Sequence, residues 1–231
     1  MFAASPFATN ALLAALPATS YQKLAPHLER VSFLPGETLL HPGDPLNAVY
    51  FPQSGLVVRI VRLDDGSAVE AGAIGREGVL GVPAAWVGSY RNIQAIAPVG
   101  TEALKLDAEL LRAQFATDSA LQQQLIHYMQ AQLERLAQTA ACNAKHAIER
   151  RLARWLLGIQ DSAQSRELML TQEQLAHILG ARRSSVTVVA RWLKQQGLIR
   201  YQRGRIAILN RTGLEAMACE CRHVLQAPGD R

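Results

Sequence analysis

The stretch LTQEQLAHILGARRSSVTVVARWLKQQGLIRYQRGRIAIL, residues 170–209, decides the C-terminal fold. Thr171 followed by Gln174 reads as a capping box, with the hydroxyl and the amide side chain each satisfying the other residue's backbone N–H. The helix it opens is expected to run to Leu179 and stop at Gly180, a residue suited to left-handed backbone. A second helix is expected from about Arg183 to Gln196, ended by Gly197. Ala176, Gly180, Val186 and Val189 stand at steps of 4, 6 and 3. That is helix-turn-helix spacing: the small Ala lets two helices cross closely, Gly makes the turn, and the valines bury the second helix against the first. IRYQ, Arg203-Gly204 and RIAI then read as a two-stranded hairpin, so the whole segment predicts a winged helix.

The outward face of the second helix carries Arg182, Arg183, Ser184, Ser185, Thr187 and Arg191. The N-terminal end of such a helix enters a major groove, where Arg grips guanine O6 and N7 and Ser or Thr bonds base edges or phosphates. Arg203 and Arg205 at the wing tip suit phosphates, as do Thr171 and Gln172 with the free N–H groups of their helix end. Arg182 is a poor N-cap, which leaves the start of the second helix open. Charge agrees with this reading. Of the net +5 over 231 residues, residues 1–141 carry −3 and residues 142–231 carry +8. A basic module behind an acidic one is the footprint of a polyanion binder.

Upstream, residues 30–106 hold ten of the 16 glycines and six of the ten prolines. Short β-type runs lie between them: VSFL, AVYF, LVVRIVRL, AVEAGAIG, NIQAIA and EALKL. Asp64-Asp65-Gly66 marks a hairpin. This density of short strands and turns predicts an antiparallel barrel or roll. Residues 1–28 read as a short helical preface punctuated by Pro17 and Pro26. Between roll and winged helix, Leu121, Leu125, Met129, Leu133, Leu136 and Ala140 recur at steps of 4, 4, 4, 3 and 4. They are expected to form one stripe on a helix of about 24 residues. That stripe is longer than a small roll can cover, so the first five are assigned to a seam with a second copy of the chain. The fold class is α+β: an N-terminal antiparallel β-roll in 1–117, a long dimerisation helix in 118–142 and a winged helix-turn-helix in 143–231.

This order resembles the Crp/Fnr family of bacterial transcription regulators from about residue 20 to 210. The carrying residues are LPGETLLHPGDPLNAVYFPQSGLVVRI, IERRLARWLL and LTQEQLAHILGARRSSVTVVARWLKQQGLI. The resemblance implies a cyclic-nucleotide-binding-like roll, a homodimer on a palindromic double-stranded operator, and contact with RNA polymerase. Arg183 matches a position where familiar members place Arg. Ser184 falls where they commonly place Glu, and Val188 where they place a second Arg. The expected contact to cytosine N4 is therefore lost, and the operator should differ from theirs.

The effector site departs as well. Cyclic-AMP-responsive members use a Gly-Glu pair and an Arg-Ser or Arg-Thr pair. Here Gly81 is followed by Val82, and Arg91 by Asn92. Val82 cannot accept a ribose hydroxyl, and burying that hydroxyl unpaired costs roughly 1–3 kcal/mol. Cyclic AMP is therefore disfavoured as effector, and the cofactor is left unassigned. No cysteine precedes Cys142, which argues against an iron–sulfur cluster of the four-cysteine kind. Lone His27, His41 and His127 are read as structural or solvated rather than haem ligands. Cys219, Cys221 and His223 offer too few ligands at the wrong spacing for structural zinc, so no metal is expected. The roll's only histidine is His41, so no cupin triad forms, and no GxxxxGK[ST] or HExxH occurs. The chain is expected not to be an enzyme. No run approaches the roughly 18 apolar residues of a membrane span. The opening MFAASPFATN lacks a basic and then apolar leader pattern, and three cysteines make no disulfide framework, so a cytoplasmic setting is expected. The competing reading is a small-molecule sensor whose winged helix docks a protein.

Overall fold

A computed structural model describes residues 9–163 and 167–225. The opening octapeptide, read above as part of a segment without a leader pattern, lies outside the described residues.

The helical preface forms α1 (Ala11–Ala14) and α2 (Ala18–Leu24), with a 3-10 turn over Ala25–His27. Asn10 caps α1 through its side-chain oxygen, and its amide nitrogen reaches the carbonyls of Pro52 and Gly78 at 3.0 and 2.8 Å. Leu13, Leu16 and Leu24 are buried in the core of the roll, which is why this short segment holds its place.

The roll has seven strands: β1 (Glu29–Phe33), β2 (Thr38–Leu40), β3 (Ala48–Ser54), β4 (Val57–Arg62), β5 (Ala68–Ile74), β6 (Ile93–Ile96) and β7 (Thr101–Asp107). They form two antiparallel sheets, ordered β1-β7-β3 and β2-β6-β4-β5. The β4–β5 hairpin sits where Asp64-Asp65-Gly66 places it, with Gly66 at φ 80°. Between β5 and β6 lies α3 (Val82–Val87).

After β7 come α4 (Ala108–Thr117), α5 (Ser119–Lys145) and α6 (Ile148–Ala163). Asp118 caps α5 by accepting from the Leu121 N–H at 3.2 Å, and Ser20 and Lys23 hold that carboxylate from α2. The 27 residues of α5 make a rod of about 40 Å. Among the described residues, three more strands and four helices follow: β8 (Glu167–Met169), α7 (Gln172–Leu179), α8 (Arg183–Gln195), β9 (Ile199–Gln202), β10 (Arg205–Ile208), α9 (Arg211–Met217) and α10 (Arg222–Leu225).

The expected seam needs correction. Leu121 and Leu125 are 3% and 1% exposed and belong to the core of the roll, with Tyr128 beside them and Met129 half-buried against it. Neither leucine is available to a second chain. The cause is geometric. Each step of four residues overshoots a turn by about 40°, so a run of three such steps rotates about 120° around the helix. Leu121 therefore faces inward while Leu133, 62% exposed, faces out. The outward apolar line is Ile126, Leu133, Ala137, Ala140 and Ala144, at steps of 7, 4, 3 and 4. Leu136 lies half-buried near Gly72, its Cδ2 3.8 Å from where a Cβ on that glycine would stand.

One apolar core runs through the junction of the roll with the C-terminal part. Val58, Ile60, Ala68 and Ile96 of the roll cluster with Leu152, Trp155 and Leu156 of α6 and with Leu175, Ile178 and Leu179 of α7. The tip of the hairpin takes part: Val69 on β5 stands against Gly180, at the turn between α7 and α8.

Candidate nucleic-acid interface

The capping box at Thr171 is formed in both directions. Thr171 N–H donates to Gln174 Oε1 at 2.8 Å, and Gln174 N–H donates to Thr171 Oγ1 at 3.1 Å. Gly180 ends α7 in the left-handed region at φ 54°, ψ 45°. Ala176, Val186 and Val189 are buried between α7 and α8, as their spacing requires. Arg182 occupies the N-cap of α8 with no side-chain bond to the helix. Arg203 and Gly204 both have positive φ, 50° and 74°, the geometry of a type I′ hairpin turn. The wing has three strands, ordered β8-β10-β9. The third was missed in the sequence because Glu167–Met169 is too short to show an alternation.

Arg182 at the N-cap and Arg183, Ser184, Ser185 and Arg191 on α8 are exposed, as are Arg203 and Arg205 on the wing. Val188 and Trp192 share that face and are also exposed, a pair that a reading for charge passes over. Thr187 and Gln172 are placed differently. The Thr187 hydroxyl lies 2.8 Å from Gln172 Oε1 and 2.9 Å from the Arg183 carbonyl. These two candidates engage each other and tie α8 to α7. Thr171 is engaged in its cap, where its side chain shapes the N-terminal end of α7.

The effector residues named from sequence differ in burial. Gly81 is the left-handed N-cap of α3 at φ 103°, and a Cβ there would meet Leu46 and Val49 at 3.1 and 3.2 Å. Val82 is fully buried in the core of the roll. Arg91 and Asn92 are exposed at a bend before β6. Val82 thus offers an apolar side chain held in the core, and Arg91 and Asn92 offer polar ones in solvent.

A cleft of about 80 Å³ opens instead where the roll, α5 and α6 meet, with Arg59, Glu70, Gln132, Arg135, Arg154 and Trp155 among its walls. Arg59 is a buried cation in the middle of an apolar strand. Its Nη2 donates to Gln132 Oε1 at 3.0 Å. Gly72 makes room for it, since a Cβ there would stand 2.9 Å from Arg59 Nη2. Arg59 Nε, Gln132 Nε2 and Arg154 Nε are buried without a hydrogen-bond partner among the described residues. Arg135 pairs with Glu77 at 3.3 Å. Burial pushes the Glu70 carboxyl up to about 6, against the opposing pull of Arg154 and Arg59. Sequence reasoning missed this cleft because its walls come from separate elements. The one local signal was Arg59 itself, which breaks the apolar run of LVVRIVRL.

Near the C-terminus, Cys142, Cys219 and Cys221 are buried and unpaired. His223, grouped with two of them from sequence, is exposed and outside the cluster. The histidine that joins the three thiols is His146, the C-cap of α5, one turn after Cys142. Cys142 and His146 lie about 75 residues before the other two, so the sequence alone does not group them.

Comparisons with known proteins agree with this architecture. Residues 30–118 match the cyclic nucleotide-binding domain, and residues 150–217 match the Crp-like helix-turn-helix domain. A Crp/Fnr-family transcriptional regulator of Thermus thermophilus is 28% identical, over 82% of this chain and 98% of its own, with a TM-score of 0.58. A Crp/Fnr-family regulator of Eubacterium rectale is 18% identical over 90% of this chain and 98% of its own, with a TM-score of 0.73. A second Thermus thermophilus regulator, of the Crp family, is 23% identical over 81% of this chain and 96% of its own, with a TM-score of 0.69. A search of curated proteins finds no match. Among the described residues, no helix is long and apolar enough to cross a membrane.

Proposed function

The chain belongs to the Crp/Fnr family of DNA-binding transcription regulators, and we propose that it acts in the cytoplasm as a homodimer that reads a palindromic operator. The observation that carries this reading is the outward cluster of Arg182, Arg183, Ser184, Ser185 and Arg191 on α8, flanked by Arg203 and Arg205. Two copies paired along the outer line of α5, through Ile126, Leu133, Ala137, Ala140 and Ala144, present two such clusters. Pairing of this kind spaces two recognition helices about 34 Å apart, one turn of duplex. Arg183 is assigned to a guanine, and the methyls of Val188 suit the C5-methyl of a thymine. The wing arginines and the N–H groups opening α7 hold phosphates. RNA polymerase is the partner that the family resemblance suggests for the bound dimer.

The signal is assigned to the cleft where roll, α5 and α6 meet rather than to Gly81, Val82, Arg91 and Asn92. Arg59, Gln132 and Arg154 carry buried N–H groups at its walls that lack partners among the described residues, and Glu70, Glu77 and Asp161 line it too, so an acceptor-rich polar molecule is the chemistry that fits. The cleft is well below the roughly 300 Å³ of a formed small-molecule pocket, so an occupant must shift α5 or α6 to enter. Its differential affinity for the two arrangements then biases the recognition helices.

The test is binding-site selection on random duplex, followed by affinity against salt for wild type and Arg183→Ala. The variant is expected to lose preference at one base position in each half-site and to cost roughly 1–3 kcal/mol. An unchanged selected motif removes Arg183 from base reading. A salt-independent affinity removes the duplex reading altogether.

A further inference from the structure

Four side chains outside the DNA-reading face converge at the end of α5: Cys142, His146, Cys219 and Cys221. Their ligand atoms all lie within 4.8 Å of one another. Cys142 Sγ is 3.5 Å from Cys219 Sγ, and Cys221 Sγ is 3.6 Å from His146 Nδ1. A tetrahedral zinc ion, with thiolate bonds of about 2.3 Å and an imidazole bond of about 2.0–2.1 Å, sets S···S edges near 3.8 Å and S···N edges near 3.6 Å. Both measured pairs are within a few tenths of an ångström of those edges. We propose that Cys142, His146, Cys219 and Cys221 form a structural Zn²⁺ site that clamps the end of the long helix to the segment after α9.

The surroundings are those of a metal-bound histidine and thiolate. His146 Nε2, the nitrogen turned away from the thiols, is 3.1 Å from Glu220 Oε1. A carboxylate on the far nitrogen fixes the tautomer that leaves Nδ1 free to ligate. Gln138 Nε2 donates to Cys221 Sγ at 3.0 Å, a bond that a thiolate accepts well. Three thiolates, a neutral imidazole and Zn²⁺ carry one net negative charge. Burial pushes the free Cys142 thiol up to about 12, while Arg154 pulls the other way, and Arg154 and Arg151, both buried on α6, offset the charge of the bound site. Binding releases the three thiol protons to solvent, so it strengthens as pH rises. The four ligands are compact enough to share one ion, since no pair of ligand atoms is more than 4.8 Å apart.

The site has a mechanical consequence. Cys142 and His146 stand one turn apart at the end of α5, directly before the bend into α6. Cys219 and Cys221 lie in the loop between α9 and α10. The ion would therefore fix the end of the long helix to the segment between α9 and α10.

The experiment uses the full chain, purified under reducing conditions and without an affinity tag that binds metal. Elemental analysis is expected to give one zinc per chain. Cobalt(II) exchanged into the site is expected to show tetrahedral ligand-field bands with thiolate charge transfer. Cys221→Ser should weaken zinc at least 100-fold and reduce the charge-transfer band. Glu220→Gln keeps all four ligands and should weaken zinc by about 10-fold through His146 alone. That milder variant keeps the assignment testable if Cys221→Ser does not fold. Failure of the wild type to take up zinc or cobalt when supplied in excess overturns the proposal. So does iron with inorganic sulfide in place of zinc, or zinc affinity unchanged by both substitutions. Each of these readouts is independent of DNA binding.

Discussion

Leu133→Glu is expected to yield a folded monomer whose affinity for a full operator is at least 100-fold weaker. Leu133 stands near the middle of α5 with 62% of its surface exposed, and Ile126 two turns earlier is 52% exposed. Neither belongs to the apolar clusters that hold the single chain together, so the substitution leaves the chain's own core intact. In a dimer the same position faces its counterpart across the seam, and two carboxylates there must be desolvated side by side. A monomer reaches one half-site only. Since ~1.4 kcal/mol is a factor of ten, losing even ~3 kcal/mol of the second half-site's contribution exceeds 100-fold. Sedimentation velocity reads the mass, and circular dichroism checks that the fold is kept. A Leu133→Glu protein that remains dimeric places the seam elsewhere. Leu125→Glu gives a contrasting result: Leu125 is buried inside its own chain, so that change should unfold the roll rather than separate copies.

Gly180→Ala is expected to destabilise the chain by about 2–5 kcal/mol, and Val69→Ala in the same chain should return part of that loss. Two causes add. Gly180 has φ 54°, a left-handed conformation that costs a residue with a Cβ roughly 1–2 kcal/mol. A Cβ at Gly180 would also stand 2.8 Å from Val69 Cγ2 and 3.1 Å from its Cγ1. Relieving such overpacking by backbone shifts costs about 1–3 kcal/mol. The second cause disappears when Val69 loses its methyls, whereas the first does not. A double-mutant cycle in urea separates them, with a coupling of about 1 kcal/mol or more as the expected value. Strict additivity would mean that the hairpin of the roll does not rest on the turn of the helix-turn-helix in solution.

The features legible in the sequence are those written in a few adjacent residues. Thr171 with Gln174, Gly180, and the pair Arg203-Gly204 each set a local backbone geometry, and each does so in the structure. The hairpin at Asp64-Asp65-Gly66 is of the same kind. Strands of three residues, β2 and β8, leave no alternation to detect. The long helix was harder for a different reason. It carries two apolar lines, one for its own roll and one facing out, and a run of four-residue steps slides from the first to the second. Leu121 and Leu133 belong to different surfaces although they fit one sequence rhythm. The cleft around Arg59 and the thiol–imidazole cluster were invisible for want of locality. Their members are brought together by the docking of α5, α6 and the C-terminal loop, which no short window of sequence encodes.

The central claim is that two chains, joined along the outer face of α5, place two α8 helices on one duplex. Sedimentation velocity of the protein with a duplex carrying its selected site measures this directly. Two chains per duplex, with affinity falling steeply as salt rises, is the expected result. One chain per duplex at saturation, or a complex indifferent to salt, would contradict it.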